Sequence, residues 1–167
     1  MILRVASLVF ACSLFFGCAP IEVATPFDTK EVSFVTRAGS AVVDGQAFLR
    51  QRGGGVVTCA GSGVALIPAG GYATEYFTKA FGRREGGIAG PLTGAPSTVS
   101  PDFTKYVLKS QCDAGGNFAF SRVPAGEYYI MSQVTWTVGD NIFPEGGVVG
   151  KRIRVTAGSR QRVLLTG

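Results

Sequence analysis

The residues of this chain that could do chemistry are four cysteines, eleven acidic residues and sixteen basic residues, and histidine is absent. Without histidine the chain lacks the commonest general base, and neither a Ser-His-Asp nor a Cys-His nucleophilic set can be built. The commonest imidazole metal ligand is missing as well. The carboxylates show no obvious close pair of the kind that glycosidases use. We therefore expect no enzymatic activity, no metal and no cofactor.

The N-terminus has the pattern of an export signal. Arg4 precedes an uncharged, apolar run over residues 5–17, which is shorter than the ~20 residues that a membrane-spanning helix needs. The run ends at Leu14-Phe15-Phe16-Gly17-Cys18-Ala19, which resembles the lipobox of bacterial lipoproteins. Gly17 and Cys18 fit that pattern, and the two phenylalanines before them depart from it.

The lipobox resemblance implies that Cys18 is acylated after residues 1–17 are removed as a signal peptide. It also implies a cell-envelope location, at the outer membrane if the host is Gram-negative, because Ala19 rather than aspartate follows the cysteine. Residues 18–31 would then be a loosely ordered tether, and residues 32–167 one folded domain. The alternative is an ordinary signal peptide that is cut after Ala19.

Two cysteines remain for the folded domain, Cys59 and Cys112, because Cys12 lies in the signal and Cys18 is the acylation candidate. Two cysteines in an oxidising compartment usually pair, and the alternation of the two segments turns both sulfurs toward one apolar interior. Such a bridge closes a loop of about 50 residues and stabilises the domain by about 4 kcal/mol. A metal or redox pair is the alternative, but the chain has neither CxxC spacing nor histidine to support it.

Short segments of alternating apolar and polar residues, separated by glycine, proline or aspartate, recur from residue 32 onward. This pattern predicts an all-β fold, an antiparallel β-sandwich of about seven strands. The last two segments are predicted to pair with each other as a closing hairpin. The predicted strand segments are 32–37, 41–51, 56–59, 63–67, 104–112, 117–121, 127–138, 148–156 and 161–166.

Residues 73–81 break this alternation, because apolar side chains recur there at the spacing of one helix face. The pattern predicts a short helix that ends at Gly82. We expect the helix to cap an open end of the sandwich with its aromatic face in the core. A surface on which a ligand stacks is the alternative. The apolar residues are Ala73, Tyr76, Phe77, Ala80 and Phe81.

Basic residues form two local groups on a chain whose formal net charge is +5. Arg83 and Arg84 open a long irregular stretch, and Lys151, Arg152 and Arg154 lie on one predicted strand. These five residues are a candidate contact surface for anionic lipid headgroups, lipopolysaccharide or an acidic protein patch. The alternative is a solvated outer face. Nucleic acid is not an expected partner of an exported protein.

The stretch from Asp113 to Tyr128 resembles the signature of carboxypeptidase-regulatory-like, transthyretin-like domains. An Asp and Gly turn leads into Phe118 and Phe120, and the sequence Val-Pro-x-Gly-x-Tyr then ends at Tyr128. The resemblance implies a transthyretin-like sandwich, in which a tight hairpin at Asp113 precedes two core phenylalanines. It implies no particular function, because such domains are accessory modules of many kinds of protein.

These features favour a membrane-anchored, non-enzymatic envelope lipoprotein that acts as an accessory or protein-interaction module with an envelope protein as its partner. The alternative is a module that binds glycan or anionic lipid, with exposed tyrosine, phenylalanine or Trp136 as a stacking platform. Three or more exposed aromatic side chains along one groove would favour that alternative, and their burial would count against it.

Overall fold

A computed structural model describes residues 20–93, 100, 102–140 and 142–167. The predicted signal segment and the acylation candidate Cys18 lie outside the described residues. Among the residues that are described, no helix is long and apolar enough to cross a bilayer.

The described chain forms two β-sheets packed face to face, which confirms the predicted sandwich. Sheet 1 contains β2, β1 and β6 in that order, with β9 paired to β1. Sheet 2 has the order β4-β8-β7-β3-β5. The strands are β1 (Ala41–Arg50), β2 (Val56–Thr58), β3 (Gly63–Pro68), β4 (Gly86–Ala89), β5 (Leu108–Gln111), β6 (Asn117–Val123), β7 (Gly126–Trp136), β8 (Glu145–Val155) and β9 (Arg160–Leu165).

Alternation along the strands builds the core between the sheets. In β1 the inward residues, such as Val43 and Leu49, are buried, and the outward Asp44 and Gln46 are partly exposed. The side chains that meet them from sheet 2 include Tyr128 and Ile130, both fully buried. This is the half-buried pattern expected of a sheet with one solvated face.

Sheet 2 is buried on both faces, because a helix covers part of its outer face. Helix α2 (Gly71–Phe81) follows β3 directly and ends at Gly82, whose φ of 70° is left-handed. Its Phe77 is fully buried and stacks on Tyr129 of β7, with ring centroids 4.0 Å apart. The predicted helix is therefore confirmed, but the expectation that it caps an open end of the sandwich is wrong.

The N-terminal segment differs from the prediction in two ways. The segment 32–37, which the sequence predicts to be a strand, is helical instead. It lies in α1 (Thr29–Val32) and in the 3-10 turn that follows (Ser33–Thr36). The side chain of Asp28 caps α1, because it accepts a hydrogen bond from Lys30 N at 2.8 Å. The predicted tether is also packed against the domain over its described part. Residues 21–31, which we call the strap, run along α2, and Phe27 contacts the ring of Tyr72.

The predicted closing pair of β8 and β9 is wrong as well. The turn at residues 156–159 carries the chain from one sheet to the other, and β9 pairs with β1 in parallel. The tight turn that starts at Asp113 is formed, with Gly116 N donating to the Asp113 carbonyl at 2.9 Å. It too connects the sheets, because β5 lies in sheet 2 and β6 in sheet 1, and so it is not a hairpin.

Candidate binding surfaces

The two cysteines predicted to pair form a disulfide between the sheets. Cys59 and Cys112 have Cα atoms 5.8 Å apart, and they are 1% and 4% exposed. The bond joins the end of β2 in sheet 1 to the end of β5 in sheet 2. Its place in the core makes it a structural cross-link.

The structure brings the two predicted groups of basic residues together. Strand β4 follows Arg83 and Arg84 and pairs with β8, so that Gly86 lies opposite Lys151. In the same ladder, Arg152 N donates to the carbonyl of Glu85 at 3.1 Å. The two groups are therefore close together along the β4–β8 ladder, but not on one face: Arg152 lies opposite Tyr129 on the outer face, and Lys151 lies opposite the core residue Ile130 on the other face.

An acidic residue from the neighbouring strand engages two of these cations. Glu127 of β7 accepts from Arg152 and, at 2.6 Å, from Arg154. These hydrogen bonds, that from Arg154 first, hold the pKa of Glu127 below its ordinary value. Arg152 also lies 5.9 Å from the centre of the Tyr129 ring. Glu127 could not be predicted as part of this surface from the sequence, because only the order of the strands in sheet 2 places it beside the arginines.

The other cations of this surface are less engaged. Arg83 Nε donates to the carbonyl of Gly86 at 2.8 Å. Arg84 and Lys151 are exposed, and neither side chain has an ion pair or a hydrogen bond within the described part of the chain. We define Arg83, Arg84 and Lys151 as the basic patch.

Aromatic side chains do not form the exposed platform that the glycan hypothesis required. Tyr72, Tyr76 and Phe77 on α2 are buried, and Trp136 is partly buried against the core. Among the described residues, Phe143 is the one strongly exposed aromatic side chain, at 65%. Stacking on a row of aromatic rings is therefore not the mode of binding that this surface supports.

A shallow depression of about 370 Å³ lies on the outer face of sheet 2, in the part that α2 leaves uncovered. Ala65, Met131 and Val148 give it an apolar floor, and Lys109 and Gln133 stand exposed at its rim. Neither rim side chain has a hydrogen-bond partner in the part of the chain that the structure describes. We call this the sheet depression.

The pattern of β7 contained a signal for the sheet depression. Tyr129 and Met131 are apolar residues at outward positions of a strand whose inward positions are also apolar. A strand of this kind needs a covering element or a ligand on its second face. The sequence predicts where the helix ends along the chain, but it does not show which part of sheet 2 the helix covers, and that placement leaves the depression open.

A second, more polar depression lies between the strap and α2, with a volume of about 580 Å³. Its carboxylates are already used to hold the strap. Glu75 accepts from Ala24 N at 3.0 Å and from Thr25 N at 2.7 Å, and Lys79 lies 2.7 Å from it. These bonds, led by Lys79, lower the pKa of Glu75 well below its ordinary value. Glu31 accepts from Gly71 N at the start of α2.

No group of three or more side chains suited to hold a metal ion occurs within residues 20–93, 100, 102–140 and 142–167. No family model matches the chain, and a search of curated proteins finds no match.

Comparison with a solved structure of a Pseudomonas aeruginosa protein supports the fold. A crystal structure described as a "putative carbohydrate binding protein" from Pseudomonas aeruginosa superposes with a TM-score of 0.71 at 29% identity, over 86% of this chain and 99% of that chain. The major pilin subunit of Bacillus cereus has a TM-score of 0.40 at 14% identity, over 77% of this chain and 29% of that one. This chain is thus a two-sheet β-sandwich similar to the Pseudomonas aeruginosa protein over nearly that protein's whole length.

Proposed function

We propose that this protein is a non-enzymatic module of the cell envelope that binds carbohydrate at the sheet depression. The observation that carries the proposal is an apolar floor beside two unpaired polar side chains, Lys109 and Gln133, on an otherwise well-packed sheet. The likeness to a protein described as carbohydrate binding supports the same class of ligand.

The chemistry of the sheet depression suits one or two sugar rings. The aliphatic side chains of Ala65, Met131 and Val148 offer a surface for the C–H face of a ring. The amide of Gln133 both donates and accepts, and Lys109 donates, so the rim can bond hydroxyl or carboxylate groups of the sugar. The ammonium group of Lys109 favours glycans that carry negative charge.

A glycan array, followed by NMR titration with each hit, tests this proposal. Gln133→Ala is expected to weaken binding about fivefold, because a lost hydrogen bond to a ligand costs on the order of 1 kcal/mol. Gln161→Ala is the matched control, because Gln161 lies on β9 in the other sheet. Chemical shift changes away from Met131 and Val148, or equal loss in both variants, would contradict the assignment.

We also propose that the module is held in the envelope by acylation of Cys18, and that it is related to carboxypeptidase-regulatory-like domains. The lipobox resemblance and the structural disulfide, which suits an oxidising compartment, support the first part. Metabolic labelling with a palmitate analogue is expected to label the wild-type chain and not Cys18→Ser. Labelling that persists in the variant would contradict it.

A second candidate function is contact with an acidic envelope protein through the basic patch. Arg84 and Lys151 support it, because they are exposed and unpaired within the described residues. Cross-linking in native membranes tests it. A stoichiometric partner that is lost in Arg84→Glu with Lys151→Glu, but kept in Lys109→Glu, would favour protein contact through the patch. A partner kept in both variants would contradict it.

A further inference from the structure

Exposed apolar side chains are concentrated at one end of the sandwich. β1 begins opposite Val123, and β7 begins just after it at Gly126, so both strands run toward the same end. This end contains the β1–β2 turn and the β7–β8 loop, and we call it the hairpin end. The other end, at Pro124, is formed by the turns before β1, before β7 and before β9.

The hairpin end carries most of the large hydrophobic side chains that the described residues expose. Val138, Ile142 and Phe143 in the β7–β8 loop are 44%, 85% and 65% exposed, and Val56 beside the β1–β2 turn is 56% exposed. None of the exposed large hydrophobic side chains of the described chain lies at the Pro124 end. Four of the seven exposed large hydrophobic side chains of the described residues thus lie at the hairpin end, and such a concentration is typical of a contact surface.

The β7–β8 loop also projects beyond the rest of sheet 2. β3 pairs with β7 only as far as Ser132, and β4 pairs with β8 only as far as Val148. The two strands continue as a ribbon to the pair Trp136–Glu145, with no further strand beside them among the described residues. Four residues of strand extend about 13 Å at about 3.3 Å per residue. The apolar loop therefore lies beyond the other strands of sheet 2, while Val134 and Trp136 of the ribbon still pack against the core.

The strap directs the amino end of the chain toward the same end. α2 begins beside the pair Pro68–Tyr128 near the Pro124 end. Its last residue, Phe81, lies against Gly150 of β8, which is closer to the hairpin end. The strap runs antiparallel to α2, because Glu31 contacts Gly71 while Glu22 accepts from Lys79. Cys18 is three positions before Ile21, so the chain between their Cα atoms spans at most about 10 Å.

We infer that the hairpin end rests on a lipid bilayer, with Ile142 and Phe143 in the interface between headgroups and acyl chains. Partly buried Trp136 lies at the base of the loop, at the depth that amphipathic aromatic rings favour. Arg50 and Arg52 are exposed at the same end, but the exposed Asp140 of the β7–β8 loop and Glu145 at the start of β8 offset their charge, so the contact rests on the apolar side chains and not on attraction to anionic headgroups. The inference rests on the proposed acylation of Cys18, which supplies the second signal that stable anchoring needs.

Tryptophan fluorescence in brominated vesicles tests this contact, because the chain has a single tryptophan. The full acylated chain carrying Trp136→Phe and Phe143→Trp is reconstituted into phosphatidylethanolamine and phosphatidylglycerol vesicles with brominated phosphatidylcholine. The matched control carries Trp136→Phe and Leu164→Trp, since Leu164 is 50% exposed on β9 of the other sheet. Flotation of the vesicles measures separately whether the Cys18 anchor attaches the chain to them.

The expected result is flotation of both chains and loss of about half of the emission at position 143, because bromine meets a ring ~5–10 Å deep in the interface. The control is expected to keep its emission. Flotation without quenching at position 143 would overturn the contact, leave the Cys18 anchor standing and point to a protein at the hairpin end. Failure to float with Cys18 intact would overturn both the anchor and the inference.

Discussion

The two apolar layers of this protein are built on opposite faces of the same sheet, and they are closed in different ways. The inner layer, between sheets 1 and 2, is cross-linked by the Cys59–Cys112 disulfide. The outer layer, between sheet 2 and α2, contains five fully or nearly fully buried side chains and has no covalent link among the described residues. Its cover is one helix, held from outside by the strap.

Because of this difference, the inner layer determines the stability of the fold, and the outer layer determines how much of the outer face of sheet 2 is accessible. The inner layer fixes the fold, because both sheets must part before its side chains meet water. The outer layer sets how much of sheet 2 is covered, and the sheet depression begins where α2 stops. Local opening of a small layer costs less than global unfolding. Mutations in the two layers are therefore expected to differ in kind as well as in size.

The largest effect is expected from Cys59→Ser, which removes the cross-link of the inner layer. The bridge joins residues 53 apart in sequence, and a loop of this size is worth about 4 kcal/mol of unfolding free energy. Guanidinium unfolding of the oxidised proteins measures the difference. Wild-type protein under reductant is the control, and it should approach the variant. An unchanged midpoint would contradict the structural role of the bond.

A smaller loss is expected from Phe77→Ala in the outer layer. Phe77 is fully buried between Tyr129 and Phe81. We expect a loss of about 3 kcal/mol, at the low end for such a truncation, because partly buried neighbours can move into the cavity. Chemical unfolding measures it, and faster hydrogen exchange in α2 should accompany it. Phe81→Ala, at a half-buried site, is the control and should cost less.

The inner layer could be predicted from sequence far better than the outer one. Alternation places residues such as Val43 and Phe118 inward, and the cysteine count predicts the bridge, since both signals are local. The partner of β9 could not be predicted, because crossing between sheets depends on the whole fold. The segment at 32–37 has the residues of a strand, but Asp28 caps a helix just before it, and Phe34 and Val35 pack against the inner core from a 3-10 turn.

The candidate site shows the same limit. Lys109 and Gln133 are recognisable as outward residues of their strands, but only the order of β5, β3 and β7 in sheet 2 brings them to one depression. The basic residues were recognised as two groups, and the pairing of β4 with β8 joins them. Glu127 neutralises part of that surface from β7, which is two strands away from β4, the strand that follows Arg83 and Arg84.

Tyr128→Phe is expected to change the inner layer modestly and in a pH-dependent way. The buried hydroxyl donates to the carbonyl of Pro124 at 2.8 Å, and its loss costs about 1 kcal/mol at neutral pH. Burial raises the pKa of Tyr128 to about 12 from its ordinary 10.0. The unfolded chain therefore loses this proton first, and wild-type stability falls as the pH rises above 10.

Unfolding free energies measured between pH 8 and 12 check this prediction. The variant lacks the ionisable hydroxyl, so the gap between the two proteins should narrow as the pH rises. A gap that stays constant up to pH 12 would contradict the burial of the Tyr128 hydroxyl.

The smallest effect on global stability is expected from Glu75→Gln, which loosens the strap and leaves both layers in place. The carboxylate holds Ala24 N and Thr25 N, and its pKa lies below the ordinary 4.5. Its stabilisation is therefore complete above pH 4.5 and is lost as the pH falls below that value.

Hydrogen exchange at Ala24 and Thr25 should accelerate in the variant at neutral pH, and in the wild type only in acid. Glu85→Gln, at an exposed residue outside the strap, should change neither amide. Because the strap precedes the domain, the proposed acylation of Cys18 and the proposed bilayer contact together predict that release of the strap lengthens the connection to Cys18 and weakens that contact. Equal protection of these two amides in Glu75→Gln and in Glu85→Gln from pH 3 to 7 would show that apolar packing by Phe27 fixes the strap without the carboxylate of Glu75.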